Sequence, residues 1–322
     1  MESGVEQAAV RAYRGGDEEA IVDVWNRALT PDGIAASVFI RQVLCDPNFD
    51  PEGLRVAVSG GTIAGFALAV RRLTPLWGDR LDREDGWITA LGVDPGFQGR
   101  GIGSRLLDEA EAFLREAGAK RAAVSPYAPN YFWPGVDKEA YPAAYRLFLR
   151  RGYRPAYQAV AMDRSLVRYV VPEDARRVMA QRVAEGYVFH RLTPDRIFEL
   201  ITFAANHFNP DWGRAIREAI ASGVPFDQFH VAVNPGGNIV GFAMHGGYGG
   251  VQERFGPFGV AESARGKGLG KVLLHLTLEE MRQKGLHGAW FLWTGEESPA
   301  GKLYLQAGFE ITRTFDILVK EL

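Results

Sequence analysis

The feature that most constrains what this chain can fold into is a glycine-rich stretch that occurs twice. Residues 93–107 read V-D-P-G-F-Q-G-R-G-I-G-S-R-L-L, and residues 260–274 read V-A-E-S-A-R-G-K-G-L-G-K-V-L-L. They align without a gap, Val93 with Val260, Gln98 with Arg265, Gly101 with Gly268, Gly103 with Gly270 and Leu107 with Leu274. Each follows a strand-like run and opens a run of helical period, which predicts strand, tight turn and helix. Gly99, Gly101 and Gly103, like Gly266, Gly268 and Gly270, leave the main chain uncovered and make positive φ inexpensive. Successive N–H groups in such a turn form an anion-binding concavity, and the helix behind it adds unpaired donors and the positive end of its dipole. Each loop is therefore a candidate pyrophosphate cradle, with Arg100, Arg265 and Lys267 as further positive charge.

The repeat extends beyond the loops. The first half reads as a strand at 10–13, a helix behind Asp17, a helix at 35–44, a hairpin of 55–59 and 62–70 turning at Gly60-Gly61, and a strand at 87–93 entering the loop. A helix with Ile102, Leu106, Leu107, Ala110, Phe113, Leu114 and Ala117 on one face follows, then a strand at 122–125, a helix at 143–150 and a strand at 157–162. The second half repeats that order: strand 188–192, helices 194–207 and 211–221, hairpin 229–233 and 239–246, strand 255–260, helix 269–284, strand 289–293, helix 299–307 and strand 310–319. The offset is 167 between the loops, 176 between G-F-A-L (65–68) and G-F-A-M (241–244), and 156 between Gly152-Tyr153 and Gly308-Phe309. Offsets that vary from loop to loop are what a duplicated domain with diverged connections produces. The expected division is 1–165, a charged linker helix at 166–185, and 186–322.

Two familiar glycine loops do not fit. A P-loop requires G-x-x-x-x-G-K-[ST], but Arg265 stands five before Gly270 and Val272 follows Lys271. The dinucleotide fingerprint requires G-x-G-x-x-G, and both copies are spaced G-x-G-x-G. What remains, [QR]-x-x-G-x-G after a valine-ended strand and before x-x-L-L, resembles the acyl-CoA-binding signature of the GNAT superfamily of N-acetyltransferases. The resemblance covers both halves in element order as well as motif. It implies an α/β (α+β) fold of two tandem domains, each a mixed, mostly antiparallel sheet flanked by helices. It also implies that acyl-CoA, expected as acetyl-CoA, lies where two parallel strands splay. Val93, Gln98, Gly99, Arg100, Gly101, Ile102, Gly103 and Ser104 would hold it in one half, and Val260, Arg265, Gly266, Lys267, Gly268, Leu269, Gly270 and Lys271 in the other. The same resemblance places a proton donor for the leaving thiolate on a late-helix tyrosine in A-x-x-L-Y-x-x-x-G-[FY]. Residues 300–309 read A-G-K-L-Y-L-Q-A-G-F and put Tyr304 there, whereas residues 144–153 read A-Y-R-L-F-L-R-R-G-Y and put Phe148 there. A tyrosine suits the task because it keeps its proton at neutral pH. The family's asparagine, seven residues earlier, is Glu297 in one half and Tyr141 in the other.

No general base stands out. Glu253 and Asp85, just upstream of the two strands, are the nearest carboxylates, and His245 on the second hairpin is a further candidate; a water relay is an equal alternative. The first half carries an insertion: Gly103 to Gly152 spans 49 residues against 38 from Gly270 to Gly308, and the extra residues fall among Tyr127, Tyr131, Phe132, Trp133 and Tyr141. Such an aromatic, proline-punctuated segment is expected to pack between the domains or into a disused acceptor cleft, the other reading being a lid over an acceptor site. A net charge of −2 gives no bulk attraction to nucleic acid or an anionic membrane, the lone Cys45 excludes an intrachain disulfide, and the scattered histidines offer no metal site. With no leader-like or membrane-length apolar run, the expected location is the cytoplasm. The functional expectation is transfer of an acetyl group to a primary amine of a small molecule or peptide, catalysed in the C-terminal half with Tyr304 as acid and Glu253 as candidate base. The alternatives are an active N-terminal half, or a non-catalytic acyl-CoA-binding protein. Acceptor identity and oligomeric state stay open.

Overall fold

The structure is a computed structural model that describes residues 8–322. Its contacts divide the chain into two units: residues through Ala159 together with Phe315–Leu322, and Val160–Thr314.

In the first unit, β1 (Ala9–Ala12), β2 (Leu54–Ser59), β3 (Thr62–Arg71) and β4 (Asp85–Val93) pair in sequence as an antiparallel meander. β5 (Arg121–Val124) then adds parallel to β4. Helix α1 (Glu18–Ala28) buries Ile21, Val24 and Trp25, a single helical face, with the Trp25 indole stacked 5.2 Å from the Phe66 ring of β3. Asp17 precedes α1 as its spacing predicts, but its carboxylate turns to the Arg11 guanidinium, at 2.6 and 2.8 Å, instead of the helix amides. A charge-assisted bidentate pair is stronger than a neutral cap bond. The expected second helix is α2 (Ala36–Phe39), which widens over Ile40–Leu44 into a π turn. Helix α3 (Ile102–Glu116) lays Ile102, Leu106, Leu107, Ala110, Phe113 and Leu114 on the sheet, and α4 (Pro142–Arg150) adds Phe148 to the same core.

The outer strands come from β6 (Arg154–Ser165), of which residues 154–159 lie in this unit, and β12 (Glu310–Glu321), of which residues 315–321 do. β12 pairs antiparallel with β5, Val319 opposite Ala123 and Glu321 opposite Arg121. Leu318 is fully buried in the core with Ile88, Leu106 and Phe148. Lys320 reaches the buried Glu111 carboxylate at 2.7 and 2.8 Å. The chain's last strand thus completes its first unit. The apolar residues of β12 predict a buried strand but carry no mark of which sheet edge receives it, so divisions after 165 and 185 do not follow the contacts.

The second unit repeats the plan. Its sheet runs β10 (Phe255–Val260), β9 (Ile239–His245), β8 (Phe229–Val233), β7 (Val188–Arg191). Helices α6 (Ile197–His207) and α7 (Pro210–Ala221) precede the hairpin, α8 (Leu269–Gln283) follows the second glycine loop, and β11 (Gly288–Thr294) pairs with residues 160–165 of β6. The charged segment expected as a linker is helix α5 (Glu173–Ala184), and it docks on α8. His230 and His275 are buried here, and burial, with nearby arginines, lowers both to about 4. The Tyr169 hydroxyl lies 2.6 Å from His275 Nδ1. Among the described residues no helix is long and apolar enough to cross a membrane.

Two outcomes are expected. Leu318→Ala, at the far C-terminus, should destabilise the N-terminal unit by about 2–5 kcal/mol, read as an earlier denaturant midpoint in its tryptophan fluorescence. The two histidines are neutral when folded at pH 5 but would be protonated in the unfolded chain, so unfolding takes up protons. The second unit should keep this contribution above about pH 6.5 and lose it as pH falls toward 4, by at most about 1.4 kcal/mol per pH unit for each histidine. Urea titrations at pH 7 and pH 5 would read it.

Candidate functional site

The site begins where two parallel strands part. β4 pairs with β5 only from Asp85–Arg121 to Ile88–Val124, and the last bond of the ladder is Ser125 N–H to the Ile88 carbonyl. Two features force the separation. Thr89 is an extra residue against β3, whose register steps from Leu68–Ala90 to Ala69–Ile88, and such a bulge bends the strand. Ser125 has φ of 79°, so the chain turns away as β5 ends. Residues 89–93 of β4 therefore run on without a partner on the β5 side.

A cleft of about 510 Å³ occupies this opening. Leu91, Gly92 and Val93 line it from β4, Ala28 and Leu29 from the end of α1, Gln98 to Ser104 from the glycine loop except Arg100, and Tyr141 to Ala144, Leu147 and Arg150 from around α4. The loop is shaped as its glycines allow. Gly99 and Gly101 sit at φ of 76° and 77°, and Gly101 is the N-cap of α3. A Cβ at either would meet nothing within 4 Å, so the space over the loop is free for an anion. Gln98 is spent on the strand end, its Nε2 donating to the Val93 carbonyl at 2.9 Å. The Arg100 guanidinium donates to Gly96 O, and neither it nor Arg150 has a carboxylate partner among the described residues. The donor set suits a pyrophosphate followed by a long, strand-like arm.

The second loop has the same backbone and a different cover. Gly266 and Gly268 sit at φ of 78° and 77°, matching the first copy to within two degrees. Gly266 is open, but a Cβ on Gly268 would lie 2.7 Å from Val178 Cγ1 of α5. The loop's cations are engaged as well: Lys271 Nζ is 2.6 Å from the Asp174 carboxylate, Lys267 Nζ is 2.7 Å from the Tyr187 hydroxyl, and Arg265 faces Glu262 at 4.0 Å. Lys271 holds the Asp174 carboxyl below its usual range. Val260, Leu269 and Gly270 stand at the strand end and the first turn of α8, where Gly270 lets the helix close on Phe258 and Leu303.

Tyr304 lies on α9 (Pro299–Gln306), where its ring packs 4.4 Å from Phe291, 5.5 Å from Phe309 and 5.9 Å from both Phe255 and Phe258. Burial pushes its phenol well above the ordinary value, which keeps it protonated but far from water. Glu253 lies just before β10, where the parallel contact with β11 is a single bridge, Arg254 with Trp290, and Trp290 N–H donates to the Glu253 carbonyl. Its carboxylate enters none of the hydrogen bonds or ion pairs of the described residues. Asp85 is tied to Arg121 at 2.7 and 2.8 Å, and burial raises its carboxyl. Six residues of strand, ~20 Å, separate it from Leu91 in the cleft, too far for a base. His245 is fully buried, its Nδ1 held by the Gln252 carbonyl at 2.9 Å and near the Gln228 amide, a structural histidine.

The aromatic insertion packs within its own unit. Tyr127 bonds Asp46 and Asn48 at 2.9 and 2.7 Å, and Phe132 and Trp133 lie 4.7 and 5.7 Å from Trp25. Tyr141 donates to the Asp32 carboxylate and forms part of the cleft wall. Spacing alone missed Ala28, Leu29, Leu147 and Arg150, which meet the loop only through the fold.

The Acetyltransferase (GNAT) family profile matches residues 20–132, and the Acetyltransferase (GNAT) domain profile matches residues 225–311. A protein named mycothiol acetyltransferase from Saccharomonospora viridis is 30% identical over 304 residues, covering 88% of this chain and 86% of that one. Among solved structures, a GCN5-related glucosamine N-acetyltransferase region of a fungal multi-domain GH3 β-N-acetylglucosaminidase superposes with a TM-score of 0.80 at 21% identity, over 98% of this chain and 38% of that chain. A tandem GNAT protein from the clavulanic acid biosynthesis pathway superposes with a TM-score of 0.66 at 16% identity, over 98% of both chains. With a splayed parallel pair and a glycine loop at its mouth, and with the same loop repeated in a second unit, this chain belongs to the GNAT acetyltransferase family as a tandem of two such domains and is an N-acetyltransferase.

Proposed function

We propose that the protein transfers an acetyl group from acetyl-CoA to a primary amine of a small molecule or peptide, and that the acetyl-CoA is taken up by the N-terminal unit. The observation that carries this is the 510 Å³ cleft over an open glycine loop. This favours the N-terminal half over the C-terminal half expected from Tyr304. Gly99 and Gly101 supply the concavity for the pyrophosphate, Arg100 and Arg150 the nearby cations, and the unpartnered stretch of β4 the main-chain groups for the arm and for the thioester oxygen as it gains charge. The attacking amine must be neutral, and the thiolate needs a proton. Phe148 has none to give, and Tyr141 is the phenol on the cleft wall. The relatives' name makes a mycothiol-type acceptor the first to try.

A second reading keeps catalysis in the C-terminal unit, and Tyr304 on the family's tyrosine position favours it. Two variants separate the readings in an acetyl-CoA turnover assay against a panel of primary amines. With the N-terminal unit active, Gly101→Val should weaken acetyl-CoA binding about tenfold or more, through the lost anion contact and the strained φ, while Tyr304→Phe keeps its rate within about twofold. The reverse pattern, a fall of about 100-fold or more in kcat for Tyr304→Phe alone, would move catalysis to the C-terminal unit.

A further inference from the structure

The two glycine loops share their glycine φ angles and face different surroundings, and helix α5 lies over the second. We infer that α5 is an intrachain cover on the second glycine loop, so that the chain binds one acyl-CoA tightly, at the first loop, and opens a second site only when α5 withdraws. This rests on the reading of the first loop as the acyl-CoA cradle.

Three contacts on the second loop are those an anionic ligand would otherwise make. Val178 presses its Cγ1 toward Gly268, which leaves no room above that glycine, whereas Gly101 in the first copy has nothing within 4 Å. Asp174 presents a carboxylate to Lys271 at 2.6 Å, a negative group where the loop's own cation would meet a phosphate. Tyr187, just after α5, accepts a hydrogen bond from Lys267 Nζ on its hydroxyl oxygen at 2.7 Å, with the ammonium also 5.3 Å from the ring centroid. Helix and loop thus satisfy each other, charge against charge and methyl against bare backbone.

The cover is held lightly. Of the α5 side chains only Ala175 is fully buried, and Val183 is 51% exposed. The Asp174–Lys271 pair is itself partly open to solvent. An element with few buried apolar contacts sits at the low end of a protein's local stability and opens ahead of the core. A ligand that binds only the opened form has its apparent affinity reduced by the fraction open, so the second site should be weak rather than missing. The loop beneath keeps its positive-φ glycines and the α8 N-terminus, so the backbone that would meet an anion is already formed under the cover.

The test is calorimetric titration of the full chain with acetyl-CoA, for the wild type, for Asp174→Ala/Val178→Ala, and for Gly101→Val in both backgrounds, each confirmed folded by circular dichroism. The wild type should show one site, and any second at least tenfold weaker. The double variant should leave the first site unchanged and tighten the second at least tenfold, and this second site should survive Gly101→Val. Hydrogen exchange over residues 173–184 should rise in the double variant without ligand. Two equal sites in the wild type, or a double variant that titrates like the wild type, would overturn the cover. If the wild type binds nothing while the double variant binds once, the cover stands and the N-terminal cradle falls; if neither binds, both fall.

Discussion

Four residues of parallel pairing, and their abrupt end, organise the N-terminal unit. The β4–β5 ladder must exist for the sheet to hold α3 and α4 on one face, and it must stop at Ile88 for there to be a cleft. The bulge at Thr89 and the positive φ at Ser125 act together: one bends β4 away from the line of the ladder, and the other takes the chain after β5 out of reach. Backbone groups left unpaired inside a fold are costly unless something meets them. A strand edge opened beside a glycine loop is what supports the proposed uptake of a ligand that is extended at one end and doubly charged at the other.

The C-terminal unit shows how little of this lies in the loop itself. Its glycines repeat the first copy's angles, and its helix α8 starts in the same way. Yet the parallel contact between β10 and β11 is a single bridge, and Phe255, Phe258, Phe291 and Tyr304 fill the region with edge-on and tilted rings. Aromatic packing of this kind is a stable way to fill the space between two strands. The late-helix position is divided in the same sense: the half with the open cleft has Phe148 there, and the half with the tyrosine has buried it.

Much of this was legible beforehand. The ungapped repeat of the loops implied two related domains, and the order of strands and helices followed from period and punctuation; the strands Phe229–Val233 and Phe255–Val260 begin and end where their patterns do. The positive-φ positions were readable because only glycine takes them cheaply. The insertion was expected between domains, in a disused cleft or over an acceptor site. Phe132 and Trp133 lie against Trp25 of their own unit while Tyr141 forms part of the cleft wall, because an aromatic run announces that it will be buried but not against what.

By itself, the sequence determined the local conformations: two strand–loop–helix turns with glycines where φ must be positive, amphipathic helices around them, and a family signature that limits the chemistry to acyl transfer. These are short-range properties, set by neighbouring side chains and the allowed angles of each residue. Only the tertiary structure decided that the final strand completes the first unit, that one loop faces an open cleft, and that the other faces Val178 and Asp174. Those outcomes depend on which distant surfaces compete best for the same position. Two loops with the same glycine spacing carry little information about that, because the residues that cover the second lie about eighty or more positions away in the chain.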